Sequence, residues 1–280
     1  QEQNQEQNQE QNQLNGKNIG IHDLVKAALT ANDPEEVAII NELWDNNRLQ
    51  TKPLDNIIAM IDISSSMEEN NSDAMYAAIG LGIQVAEKSS LGKRIMVFTN
   101  IPTWINLEDC PDFVSSVKKV ANIERGTNSD IYKVMELILN TIIENKIPAA
   151  DVENLVFAIF SDMQFDMYEK PTNQATHTHI STIRDIFAQK YHEAGLQVCN
   201  RGYKVHHILF WNMKNTTGFP DLSYQDGVSM MSGYSPKLLN HFMERDPGYG
   251  SGNENMTPWL RLNNMLNRPR YSIINRLLPE

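Results

Sequence analysis

The chain has 280 residues, a formal net charge of −11 and 41% hydrophobic residues. So acidic a polypeptide repels phosphate backbones and anionic lipid, which disfavours charge-driven binding to nucleic acid or membrane, while its apolar content suffices for a real core. Two cysteines, Cys110 and Cys199, build no disulfide framework; with 13 methionines they point to an intracellular, cytoplasmic protein, and no apolar run offers a membrane span.

Residues 1–12 repeat Gln-Glu-Gln-Asn three times. With nothing apolar to bury, residues 1–17 are expected to form a disordered low-complexity tail. The chain begins with Gln rather than Met, so a further region upstream is expected. Over residues 18–50, Leu24, Ala27 and Ala28, then Val37, Ile40, Leu43 and Trp44, fall at helical spacing interrupted by Pro34. Two short helices follow, the second capped by Asn32 or Asp33 with Pro34 at its first position.

From Asn56 the pattern becomes strand–helix alternation. Asn56 to Ile61 is a continuous apolar run ending at Asp62, which suits a strand buried on both faces. Asp73 to Ser89 is helical, with Met75, Ile79, Gly82 and Ala86 on one stripe and Gly80 and Gly82 permitting close approach to a sheet. Arg94 to Phe98 and Thr103 to Leu107 are short strands joined by a hairpin-sized link. A helix over Asp130 to Lys146 precedes a second buried strand, Leu155 to Phe160, which ends at Ser161 and Asp162. Ile180, Ile183, Phe187, Tyr191 and Ala194 mark a helix that Gly195 should stop. Strands over Val205 to Trp211 and Gly227 to Met231 and a helix over Ser235 to Glu244 complete the pattern. Strands separated by such helices imply right-handed crossovers and a mostly parallel sheet. The expectation is an open, doubly wound α/β domain over 51–245, followed by a C-terminal loop and helical extension over 246–280.

In such a sheet, ligands bind beyond the carboxyl ends of the strands, at a switch point in strand order. Two strands end there in a carboxylate, Asp62 and Asp162, and Asp62 is expected at a solvent-facing strand end, outside the core. Ser64 and Ser66 follow Asp62 at alternate positions, so all three can point the same way. Gly126-Thr127-Asn128-Ser129-Asp130 is a polar turn before a helix. Carboxylates and hydroxyls form a hard, all-oxygen set that suits Mg²⁺ or Mn²⁺ and offers nothing soft for zinc or copper.

Asp-x-Ser-x-Ser after the first strand, Gly-Thr before a helix and Asp at the end of the fourth strand resemble the metal-ion-dependent adhesion site of von Willebrand factor type A domains. The resemblance covers about residues 55–245. It implies a Rossmann-like fold and a Mg²⁺ or Mn²⁺ site at Asp62, Ser64, Ser66, Thr127 and Asp162. The wider phrasing resembles the domain of unknown function 2828 family, itself similar to the A-type domain of ring-shaped RNA-binding Ro proteins. The supporting stretches are Phe160 to Asp166, Phe210 to Asn212 and Gly227 to Tyr234. Here the turn carries Ser129 two residues beyond Thr127. Either hydroxyl could be the ligand, and Ser129 otherwise serves as a helix cap.

Ser65, Glu68 and Glu69 fit a solvated loop, although acids beside a cation can tune its affinity. Asp166 also fits a polar loop. His177 and His179 have the wrong spacing for one helical face, His206 and His207 fit structural positions in a strand, and Cys110 has no basic neighbour to activate it. Gly248 to Gly252 is a flexible loop with no phosphate-binding motif. The resemblance implies a metal-dependent protein-interaction module, whose cation keeps an open position for an acidic side chain of a partner protein. A Mg²⁺-dependent hydrolase competes, but no general base, phosphate loop or second-metal cluster accompanies the two Asp residues. An RNA–protein scaffold is the third reading, and the acidic charge speaks against it. The expectation is a binder rather than an enzyme.

Overall fold

In a computed structural model, residues 19–98, 101–124, 130–163, 180–214 and 227–244 are described. Strands β1 (Ile57–Asp62), β2 (Arg94–Phe98), β3 (Thr103–Asn106), β4 (Val156–Ser161), β5 (His207–Asn212) and β6 (Val228–Ser232) form one sheet in the order β3-β2-β1-β4-β5-β6. Only the short β3 runs antiparallel to its neighbour among these pairs. Chain order reverses direction between β1 and β4, so this Rossmann-like, doubly wound α/β sheet has its switch point there.

Helices cover both faces, which is why the central strands are apolar throughout rather than alternating. On one face Met60, Met96, Phe157, Ile159 and Phe210 pack with Val134 and Ile138 of α5 (Ile131–Glu144) and with Phe187 and Tyr191 of α7 (Ile180–Cys199). On the other, α3 (Asp73–Lys88) lies along β1 and is covered in turn by α1 (Ile21–Thr30) and α4 (Phe113–Ala121). Sandwiched this way, α3 is buried on nearly every side rather than along one stripe. Its glycines serve different neighbours. A Cβ at Gly82 would meet Ile61 of β1, but one at Gly80 would meet Ile21 of α1. Only Gly82 therefore brings helix and sheet together.

The two amino-terminal helices are α1 and α2 (Pro34–Arg48), with Pro34 first in α2. Asp33 is the cap of α2 and accepts from the Glu35 and Glu36 N–H groups at 3.1 and 3.4 Å. Three expectations need correction. Gly195 does not stop α7, which runs on to Cys199; a Cβ there would run into the backbone of Arg201 and Tyr203, so the glycine admits the returning chain. β5 starts at His207, and the fully buried His206 precedes it with its ring 4.5 Å from Phe157. Two helices, α4 and α6 (Ala149–Glu153), join the expected ones. Phe113, Val114, Val117 and Val120 form the buried side of α4, and Asp112 and Ser115 close a capping box at its start.

The helix α8 (Lys237–Glu244) ties back to the segment before β1, where Asn240 accepts from the Lys52 N–H at 2.9 Å and donates to the Gln50 carbonyl at 2.7 Å. Among the described residues no helix is long and apolar enough to cross a membrane. The expected tail over 1–17 and the extension over 246–280 lie outside the described residues.

Candidate metal centre

Sheet register gathers polar side chains at the carboxyl edge. Ile61 pairs with Phe160, so Asp62 stands beside Ser161; Ser161 pairs with Asn212, and Asn212 with Ser232. A row of apolar residues one step inside gives way to Asp62, Ser161, Asn212 and Ser232 across four neighbouring strands. The first three are buried.

Asp62 is 0% exposed, which corrects its expected position at a solvent-facing strand end. The reason is local. Past the strand the chain folds back, so the Ser64 N–H donates to Asp62 Oδ1 at 2.9 Å, and Ser161 Oγ donates to Oδ2 at 2.6 Å from β4. These bonds fix the orientation of the carboxylate. The Ser64 and Ser66 hydroxyls lie 3.0 Å apart, as their alternate spacing suggests.

Asp162, 1% exposed, follows β4. Its Oδ2 lies 3.4 Å from Lys214 Nζ, two residues past the end of β5. The same ammonium donates to Glu69 Oε2 at 2.7 Å and to the Ser66 carbonyl. Burial pushes the Lys214 pKa down, but the hydrogen bond to Glu69 and the field of Asp162 outweigh it, and the net shift is upward. The side chain is therefore a firm cation. The Lys214 N–H is held by Asn212 Oδ1 at 2.9 Å, which aims the stem from the polar row. On the other side of Asp162, Met163 has φ +65°, an uncommon conformation for a residue with a side chain, and its N–H donates to Ser161 Oγ at 3.1 Å. One serine hydroxyl thus orients Asp62 and shapes the turn that carries Asp162.

Four of the five expected metal positions, Asp62, Ser64, Ser66 and Asp162, come to this one edge. Thr127 lies outside the described residues, as do Ser129, Asp166, His177, His179 and Gly248 to Gly252. The cap of α5 is Asp130, which accepts from the Tyr132 and Lys133 N–H groups at 3.0 and 3.3 Å, so the helix-cap alternative for Ser129 is corrected to its neighbour. Glu69 is a loop acid with its side chain 68% exposed, yet it reaches the site through Lys214. Ser161, Asn212 and Lys214 are the residues that sequence reasoning missed. A polar residue at the end of each apolar run was visible, but only the strand order shows that these ends are neighbours. Among the described residues no three His, Cys, Asp or Glu side chains form a metal-holding group. The donors gathered here are two carboxylates and two hydroxyls, a hard set that fits Mg²⁺ or Mn²⁺ with water or further ligands completing the shell.

The family model described as Domain of unknown function (DUF7788) matches residues 56–262, from the start of β1 through all six strands. This match does not test the resemblance to the domain of unknown function 2828 family. A search of curated proteins finds no match. Among solved structures, the crystal structure of Deinococcus radiodurans RO (RSR) protein is similar at 13% identity and a TM-score of 0.46, over 80% of this chain and 44% of that one. The chain spans less than half the length of that protein. With about three quarters of its length matched by the family model, this chain belongs to the DUF7788 family.

Proposed function

We propose that the chain is a metal-dependent protein-interaction module of the von Willebrand factor A type. Asp62, Ser64, Ser66 and Asp162, together with Thr127, would hold Mg²⁺ or Mn²⁺ and leave one position for an acidic side chain of a partner protein. The observation that supports this reading is the gathering of two buried carboxylates and two facing hydroxyls at the β1/β4 switch point. Hydroxyl ligands bring no negative charge, so the cation keeps an attraction for an incoming carboxylate.

The test is affinity capture with the purified chain in Mg²⁺ and in chelator, beside Asp162→Asn. Proteins retained only by the wild type with metal support the proposal, and capture indifferent to both changes removes it. A binder should also leave phosphodiesters and nucleotides intact in Mn²⁺. Turnover that disappears in Asp162→Asn would promote a hydrolase in its place.

A further inference from the structure

We propose that Lys214 is a tethered competitor for the divalent cation, holding Asp162 and the turn after β1 until a metal ion displaces it. The inference rests on the metal reading of this edge and adds a residue which that reading does not use. Its basis is geometric. The ammonium is 3.4 Å from Asp162 Oδ2 and 2.7 Å from Glu69 Oε2, and it also bonds the Ser66 carbonyl. With its side chain 11% exposed, it lies within the edge rather than waving above it.

A lysine ammonium is a compact point charge with three donors; here it donates to Glu69 and to the Ser66 carbonyl, and it faces Asp162 Oδ2 as an ion pair. Mg²⁺ would demand the same region at contact distances of about 2.0–2.1 Å. Two cations against one buried carboxylate repel strongly, because a partly buried site screens them less than water does. Metal entry must therefore turn the ammonium away. The flexible four-carbon stem allows this, and the exposed Glu69 can accompany it outward. The native site would then bind metal more weakly than its oxygen donors alone would dictate. Metal binding would also break the tie between the end of β5 and the turn carrying Ser66 and Glu69.

The experiment titrates Mn²⁺ and Mg²⁺ into the full chain by calorimetry, with free Mn²⁺ counted by its paramagnetic resonance signal. Wild type is compared with Lys214→Met, Lys214→Gln and Lys214→Arg, and each is also melted in chelator. The Met and Gln variants should bind Mn²⁺ at least tenfold more tightly, while Arg, which keeps the charge, should bind no more tightly than wild type. Where Met does not fold, the polar Gln carries the comparison. Wild type that binds metal with no gain in Met or Gln overturns the inference and leaves the metal site standing. Equal gains in Arg and Met also overturn it, since charge is then not the cause. Binding in no form defeats the metal reading and this inference with it. Binding only in Met and Gln means that no metal displaces the lysine from the native site, which overturns the inference and rejects a metal site in the native chain.

Discussion

At Asp62 one side chain has a structural and a chemical role, and two substitutions separate them. Asparagine keeps an oxygen for the Ser64 N–H and can turn its amide toward Ser161 Oγ, but it lacks the charge a cation needs. Asp62→Asn should melt close to wild type in chelator and fail to bind Mn²⁺. Asp62→Ala leaves a buried N–H and a buried hydroxyl without their acceptor, at a cost of about 1–3 kcal/mol for each unsatisfied group. Denaturant melts in chelator check this, and equal stability of Asn and Ala variants would show that the carboxylate carries no structural load. A second carboxyl, Glu87, accepts from Trp44 Nε1 at 3.0 Å and lies 3.8 Å from Arg48. Burial raises its pKa above 4.5 although the Trp44 bond and Arg48 pull it down. A carboxyl raised in the folded state favours the native fold while protonated. That contribution is full below the unfolded value near 4.5 and is lost as pH rises through the folded one. Glu87→Gln keeps an acceptor for Trp44 and should melt above wild type at pH 7, with the gap closing on acidification toward pH 4.5. A gap that widens toward acid contradicts this account.

Among the elements, α5 depends on its cap and α7 on its glycine. Asp130→Ala should cost about 1 kcal/mol, the usual value of a lost side-chain cap, measured as a shift in the urea midpoint. Two glycine-to-alanine changes should differ. At Gly82 the new methyl meets the movable side chain of Ile61, whereas at Gly195 it meets the backbone of Arg201 and Tyr203. Gly195→Ala should therefore lower the melting temperature more than Gly82→Ala, and the reverse order would show that the 200–203 return is free to shift. These elements also mark what sequence could tell. Long apolar runs and uninterrupted helical spacing identify β1, β4, α3 and α5, because burial on both faces or along a stripe leaves its period in the residue order. The short α4 leaves a fainter trace, since only four of its nine residues are buried hydrophobics and its capping box uses Ser115 in place of the usual Glu or Gln. In the site, Asp62, Ser64, Ser66 and Asp162 stand out because strand-end acids and alternate serines are local patterns. Lys214 does not, since a lysine two residues past a strand acquires meaning only when β5 is known to lie beside β4. Burial of Asp62 was likewise illegible, because the group that closes over it lies 99 residues away in sequence.

For the whole molecule, the strand order puts β1, β2 and β3 on one side of the switch point and β4, β5 and β6 on the other. The candidate site joins those halves, so a cation bound there binds the folded chain and not the unfolded one. Mn²⁺ at a hundredfold excess over its dissociation constant should add about 2.7 kcal/mol of stability. A melting temperature that does not respond to Mn²⁺ in wild type, yet responds in Lys214→Gln, would locate the obstacle at the lysine. The bond between Ser161 and Asp62 also has a meaning in time. At about 5–20 residues per second, a ribosome needs roughly 5–20 s to add the 99 residues that separate them. Even where β1 has paired with β2 by then, its other edge lacks β4, and the Asp62 carboxylate lacks its serine. A growing chain halted before β4 therefore presents an open apolar strand edge, which is what holding chaperones bind and what drives nascent chains to aggregate.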